Sequence, residues 1–431
     1  SVESHKSHSI LSSTKIPSAP HLETGAILAN IGDLFIYDME RITMKSQGLY
    51  SFDKKDSYFK ELKSFPMNTE IDMALHFKGK KPVYIYTLPH SGSMVSTYHI
   101  SLSAIQKTDY KTRIADDRVG HFITMYQDYS DVLRDSPYIR YINRWHLEKQ
   151  NPYLEISEPK KPIVYWIENT VPYELRDAVR EGILGWNQAF EAAGFKNAII
   201  VKQMPDDADW DPADVRYNTI RWMFQPGSGY AVGPSRANPF TGELYDADIR
   251  ISADFVRSFY KSYTEFVAPI IGPVAMDFET VEPDEDFSSG TCHYGEYLRE
   301  EMASAWDLMT ATGMIEGTDK ELVDYIHNGL VDLILHEVGH TLGLRHNFKA
   351  SSIYSINQLS DPGFTKKHGI SGSVMDYQPI NVFDGQTFFQ TKPGVYDTWA
   401  IEYAYKQSDF SGLSETKFLD DIASRSTDPL L

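Results

Sequence analysis

The stretch HEVGHTLGLRH, His336–His346, decides how this chain is read. On a helix, His336 and His340 are one turn apart and project from the same face. Two imidazoles so placed can grip one ion, and imidazole nitrogen suits zinc. Glu337 stands beside the first ligand, placed to take a proton from a metal-bound water. Gly343 lets the backbone leave the helix sharply with positive φ, which swings His346 round as the third ligand. Three visible ligands fit one catalytic Zn2+ with an open position. A structural site usually closes with four, often including cysteine.

Working outward, Thr318 and Glu321 form a T-x-x-E capping box that predicts the start of this helix. Leu322, Ile326, Leu330, Leu333 and Glu337 fall on or near one face of it. Before it, His293–Gly313 reads as helical. Further upstream the texture is mixed. IVYWI, Ile163–Ile167, is a short apolar run expected of a strand buried on both faces. Pro172 suits the first turn of a helix, whose stripe is Leu175, Val179, Ile183, Trp186 and Phe190, with Gly194 closing it. Ile199–Val201 and Thr219–Phe224 read as strands, and two more short ones lie within 229–252. From Gly25 to Trp145, DLFIYDM (33–39), KPVYIYTL (81–88) and STYHISLSAI (96–105) predict antiparallel strands. NPYLEISEPKKP (151–162) reads as a linker.

The fold class expected is therefore α+β, in four parts. These are a polar tail (1–24), a β-rich domain (25–150), a sheet-and-helix region carrying the motif (151–345), and a C-terminal region (346–431). The chain is open to continuation past Leu431.

Composition narrows the partners. Lys and Arg total 41 against 60 Asp and Glu, a net charge of −19. Such a chain repels phosphate backbones, so nucleic acid is excluded as a partner. No run approaches the ~20 apolar residues that span a bilayer. Cys292 is the single cysteine, so no internal disulfide forms. The usual role of a free cysteine, a small buried hydrophobe, is expected of it rather than a catalytic pairing with His293. Asp207, Asp209 and Asp211 begin like an EF-hand, but Pro212 stands where glycine is needed. A looser structural Ca2+ site is the most that Asp206–Asp214, or Val281–Gly290, would offer. Asp116 and Asp117 read as a structural turn, with a latency role for Asp117 as the lesser alternative.

H-E-x-x-H-x-x-G-x-x-H resembles the signature of the metzincin zinc proteases. SGSVMDY, Ser371–Tyr377, resembles their methionine turn. The resemblance implies that Met375 floors the three imidazoles without binding zinc. It also implies that Tyr377 binds zinc or donates to the substrate oxyanion. YINRWHLEK, EPKKPIVYWIENTVP, GWNQAFEAAGF, DDADWDPADVRYNTIRW, GLRHNF and SVMDYQP resemble a family of large exported bacterial zinc-dependent metalloproteases. That likeness implies a two-lobed catalytic domain, with a twisted mixed sheet backed by helices in an upper lobe (151–345) and a small lower lobe (346–431) that carries the methionine turn. It implies a protein or peptide substrate bound as an extended strand at the sheet edge, either GYAVGP (229–234) or ADIRIS (247–252). It places the protein outside the cell or in the bacterial envelope. The expected activity is zinc-dependent endopeptidase, with Glu337 as general base. The alternatives are a catalytically silent zinc-bearing binding protein and a zinc hydrolase of a non-peptide amide.

Overall fold

The computed structural model describes residues 18–431 except 21–22, 26, 80–89, 131–132, 134–135, 225–230, 258–291, 384 and 409–413. The expected strand at 81–88, the acidic stretch 281–290 and most of the polar tail fall outside the described residues. The chain forms two compact units. One comprises 1–107, 126–137 and 213–215; the other comprises 108–125, 138–212 and 216–431.

The first unit is built on an antiparallel meander of β1 (Tyr50–Ser64), β2 (Asn68–Gly79) and β3 (Ser93–Ser103). The middle strand alternates as a half-buried strand should. Ile71, Met73, Leu75 and Phe77 turn to one face and form that unit's core with Ile36 and Tyr50. The strand expected at DLFIYDM is corrected: Gly32–Phe35 is a short helical turn. Local polar chemistry overrides its β-like composition. Asn30 Oδ1 accepts the Gly32 N–H, and the Asp38 carboxylate accepts the N–H groups of Ile42 and Thr43.

The second unit holds a five-stranded sheet of β4 (Ile163–Ile167), β5 (Ile199–Gln203), β6 (Asn218–Met223), β7 (Ala231–Val232) and β8 (Ile249–Ser252). Their spatial order is β5-β4-β6-β8-β7. Strands β5, β4, β6 and β8 run parallel; β7 is antiparallel and forms one edge. The two expected edge segments thus separate. Ala231–Val232 lies at the edge, whereas Ile249–Ser252 is interior, paired on both sides.

Two helices back this sheet in the described residues. Helix α1 is Arg176–Gly185, and its stripe continues through Trp186 into a short helix at Asn187–Ala192. Val179, Ile183, Trp186 and Phe190 are fully buried. After α2 (Tyr294–Ala311) comes α3 (Asp319–Thr341), which opens on the predicted Thr318–Glu321 capping box. Helix α1 approaches α3 so closely that a Cβ on Gly182 would lie 2.6 Å from Ile334 Cβ. The Trp186 indole donates to the Leu335 carbonyl at 2.9 Å. From Gly329 to Thr341 α3 is buried on every face rather than along one stripe. Its sequence shows why, since Leu330, Val331, Leu333, Ile334, Leu335 and Val338 encircle it.

The compact units do not follow a single cut at 150. Residues 108–125 and 138–150 fold with the second unit. Arg144–Trp145 pairs in parallel with Glu243–Leu244. The buried Arg113 guanidinium donates to the carbonyls of Tyr403, Ala404 and Lys406, at the end of helix α4 (Val395–Tyr405). Nor is 151–162 a free linker. Lys149 bridges Pro159, and the Ser157 N–H donates to Gly194 O at 3.1 Å. Its prolines signal broken secondary structure, which composition alone does not distinguish from a linker.

Candidate metal centre

Helix α3 places His336 and His340 one turn apart, both buried, with their rings 4.8 Å apart. The helix ends at Gly343, where φ is +101°. A Cβ there would run into the carbonyl oxygen of Asn143, so the turn demands glycine on two grounds. The turn is also held from outside. Phe122 N–H donates to Gly343 O at 2.8 Å, and Arg345 N–H donates to Gly120 O at 3.0 Å. It brings His346 back so that its Nε2 lies 3.1 Å from His340 Nε2.

The other ring nitrogens show how the imidazoles are set. His336 Nδ1 donates to Val374 O at 2.7 Å, and His340 Nδ1 donates to Leu344 O at 2.9 Å. Each bond fixes the tautomer and leaves an Nε2 lone pair facing the shared space. The same Gly343 turn that carries His346 therefore supplies the carbonyl that aims His340. Burial and the neighbouring imidazoles hold His336 well below its ordinary value. Burial, then His346, brings His340 down to about 3, and burial also lowers His346. All three rings are thereby kept neutral at pH 7.

This donor set suits a zinc ion. Two nitrogens bound tetrahedrally at about 2.0–2.1 Å are about 3.3 Å apart. The His340–His346 separation of 3.1 Å is close to that.

Glu337 is fully buried beside His336, and neither carboxylate oxygen receives a well-formed hydrogen bond from the described residues. Burial pushes its carboxyl up to about 8. A buried carboxylate without partners is costly, and it marks a group kept for something other than stability. Gly233, next to the edge strand β7, passes directly over it: a Cβ on Gly233 would be 3.2 Å from Glu337 Oε2 and closer still to the Glu337 carbonyl.

Met375 is fully buried and packs against Gly339 of α3. Its turn is pinned by the buried Asp397, which accepts from Ser373 Oγ, from Val374 N–H at 2.8 Å and from Gly394 N–H at 2.7 Å. Asp397 thereby fixes the Val374 carbonyl that aims His336. Tyr377 is half-buried, its ring 4.9 Å from that of His346. Its hydroxyl accepts the His293 N–H at 2.9 Å. The structure thus brings together His336, Glu337, His340, His346, Met375 and Tyr377.

Residues 318–431 match the family described as Met-zincin. That region is similar to the Met-zincins. Residues 1–150 match a domain of unknown function, DUF5117. No curated protein and no solved structure matches the chain significantly. The match supports a zinc-metallopeptidase-like function in general terms. The Met-zincin match and the histidine cluster together point to zinc binding.

Sequence reasoning missed one residue of the cluster. Cys292 Sγ lies 3.4 Å from His336 Nε2, 3.5 Å from His346 Nε2 and 3.5 Å from Tyr377 Oη. With the three histidines it forms a group whose ligand atoms all lie within 4.8 Å of one another. It is buried, as expected of a free cysteine. At 44 residues from His336 it belongs to no local spacing pattern, so only the fold reveals it. The acidic loop Asp206–Asp214 gathers no comparable group among the described residues. Asp117 pairs with Arg140 and Asp116 with Arg118, in keeping with a structural turn and not with a carboxylate on the metal. Among the described residues, no helix is long and apolar enough to cross a membrane.

Proposed function

We propose that the chain is a zinc-dependent endopeptidase that acts on protein or peptide chains outside the cell or in the bacterial envelope. His336, His340 and His346 would hold the ion through their Nε2 atoms. Zinc would supply Lewis acidity to the scissile carbonyl and acidity to a water molecule.

The chain's own residues do the remainder. Glu337, buried and unpartnered, takes a proton from the attacking water and returns it to the leaving nitrogen. Tyr377 Oη donates to the oxygen of the carbonyl under attack as charge develops there. The edge of β7 binds substrate main chain as an added strand, and Gly233 keeps that strand close to Glu337. Met375 supports the imidazoles from below, and Gly343 fixes the turn from which His346 acts.

One observation carries this reading. Imidazole rings with Nδ1 tied to backbone carbonyls converge through Nε2 beside a buried carboxylate that has no structural partner. A silent zinc protein has no use for that carboxylate. An open sheet edge favours a peptide over a small amide.

The test is cleavage of an unfolded protein by the purified chain and by Glu337→Ala, with zinc content measured in both. Cleavage should vanish in the variant while zinc stays bound. Comparable cleavage by the variant would overturn the role of Glu337.

A further inference from the structure

We propose that Cys292 is a fourth protein ligand of the metal, closing the site from within the catalytic unit. This rests on the reading of His336, His340 and His346 as a zinc site.

The geometry is that of a coordination shell. In a tetrahedral site with Zn–S about 2.3 Å and Zn–N about 2.0–2.1 Å, sulfur and nitrogen are about 3.6 Å apart. Cys292 Sγ lies 3.4 Å and 3.5 Å from two Nε2 atoms that are themselves free to ligate. One cation at the centre accounts for both approaches at once. The unpartnered Glu337 carboxylate beside the same space is a second, independent sign that the space is meant for a ligand.

Cys292 lies just before α2, next to its N-cap residue His293. On ligation the thiol gives its proton to solvent and the sulfur binds as the thiolate.

The consequence is a latch. Sulfur in the fourth position stands where the attacking water belongs. The same segment engages Tyr377, whose hydroxyl accepts the His293 N–H and faces the sulfur at 3.5 Å. Moving one short segment would free both the fourth position and the tyrosine.

X-ray absorption at the zinc edge tests this on the zinc-loaded full chain and on Cys292→Ala, with zinc content measured on the same samples. The chain has a single cysteine, so a thiolate signal has one source. Expected are about one zinc per chain in both, one sulfur at about 2.3 Å in the natural sequence, and none in the variant. Cys292→Ala should also cleave an unfolded protein at least tenfold faster. A full zinc complement with only nitrogen and oxygen neighbours in the natural sequence overturns the proposal and leaves the histidine site standing. So does a sulfur shell that persists in the variant, which would belong to Met375. Zinc absent from both proteins removes the metal reading, and this proposal with it. Should the variant fail to fold, the spectrum of the natural chain decides alone.

Discussion

Replacing Gly343 by alanine should cost both stability and metal affinity, and the two costs are separable. At φ +101° a side chain meets the handedness penalty of about 1–2 kcal/mol. The added Cβ also falls well inside the 3.0 Å that real Cβ atoms keep from the Asn143 carbonyl. Asn143 cannot simply retreat, because its N–H is bonded to Phe122 O at 2.8 Å and the next N–H to Gly242 O at 3.0 Å. Relieving such an overlap costs about 1–3 kcal/mol more. Together these give a loss of about 2–5 kcal/mol. All seven tryptophans lie in the second unit, so urea unfolding followed by their fluorescence reports on that unit alone. Gly313→Ala is the control. Its φ is +69° but a Cβ there meets nothing within 4 Å, so only the handedness term, about 1 kcal/mol, should appear. Because Leu344 O aims His340 and His346 follows three residues on, zinc affinity in Gly343→Ala should fall about 10–100-fold in a chelator competition. Equal losses for the two alanine variants, or unchanged zinc affinity at Gly343, would refute this reasoning.

Other sites give sharper discriminations. Gly233→Ala should push the sheet edge away from Glu337 and lower peptide cleavage at least tenfold; an accompanying loss of bound zinc would instead mean that α3 itself had moved. Arg113→Met should cost about 2–4 kcal/mol, since three carbonyls at the end of α4 lose a buried charged donor; an unchanged urea midpoint would show that those carbonyls find other partners. Asp332 is fully buried among Tyr294, Gln378 and the Gln390 N–H, and burial pushes its carboxyl up from 3.8 to about 7. A folded value above the unfolded one means that the folded state holds the proton more tightly. Its contribution is therefore full below pH 3.8 and is lost as pH rises through about 7. The urea midpoint should drop across that window by less in Asp332→Asn, which stays neutral; parallel curves would show that Asp332 is not protonated in the fold.

What was legible in the sequence was local. The capping box at Thr318 and Glu321, the i,i+4 histidines and the glycine turn each follow from spacing along one segment. Three kinds of feature were not legible. Cys292 reaches the centre through the fold alone. The clamp of Gly120–Phe122 on the Gly343 turn is built from backbone hydrogen bonds, which leave no trace in residue type. Which of two β-like segments forms the edge depends on strand order, and short strands carry no order in their composition. DLFIYDM failed for a different reason, because polar side chains of Asn30 and Asp38 gave its neighbours better hydrogen bonds than a strand would.

The central claim is that the histidine Nε2 atoms share one zinc ion. Anomalous diffraction from crystals of the zinc-loaded chain, measured on both sides of the zinc edge, tests it most directly. A single strong peak is expected about 2.0–2.1 Å from the Nε2 atoms of His336, His340 and His346, with each of the first two rings still donating through Nδ1 to its carbonyl. A peak elsewhere, or none at full zinc loading, would contradict it.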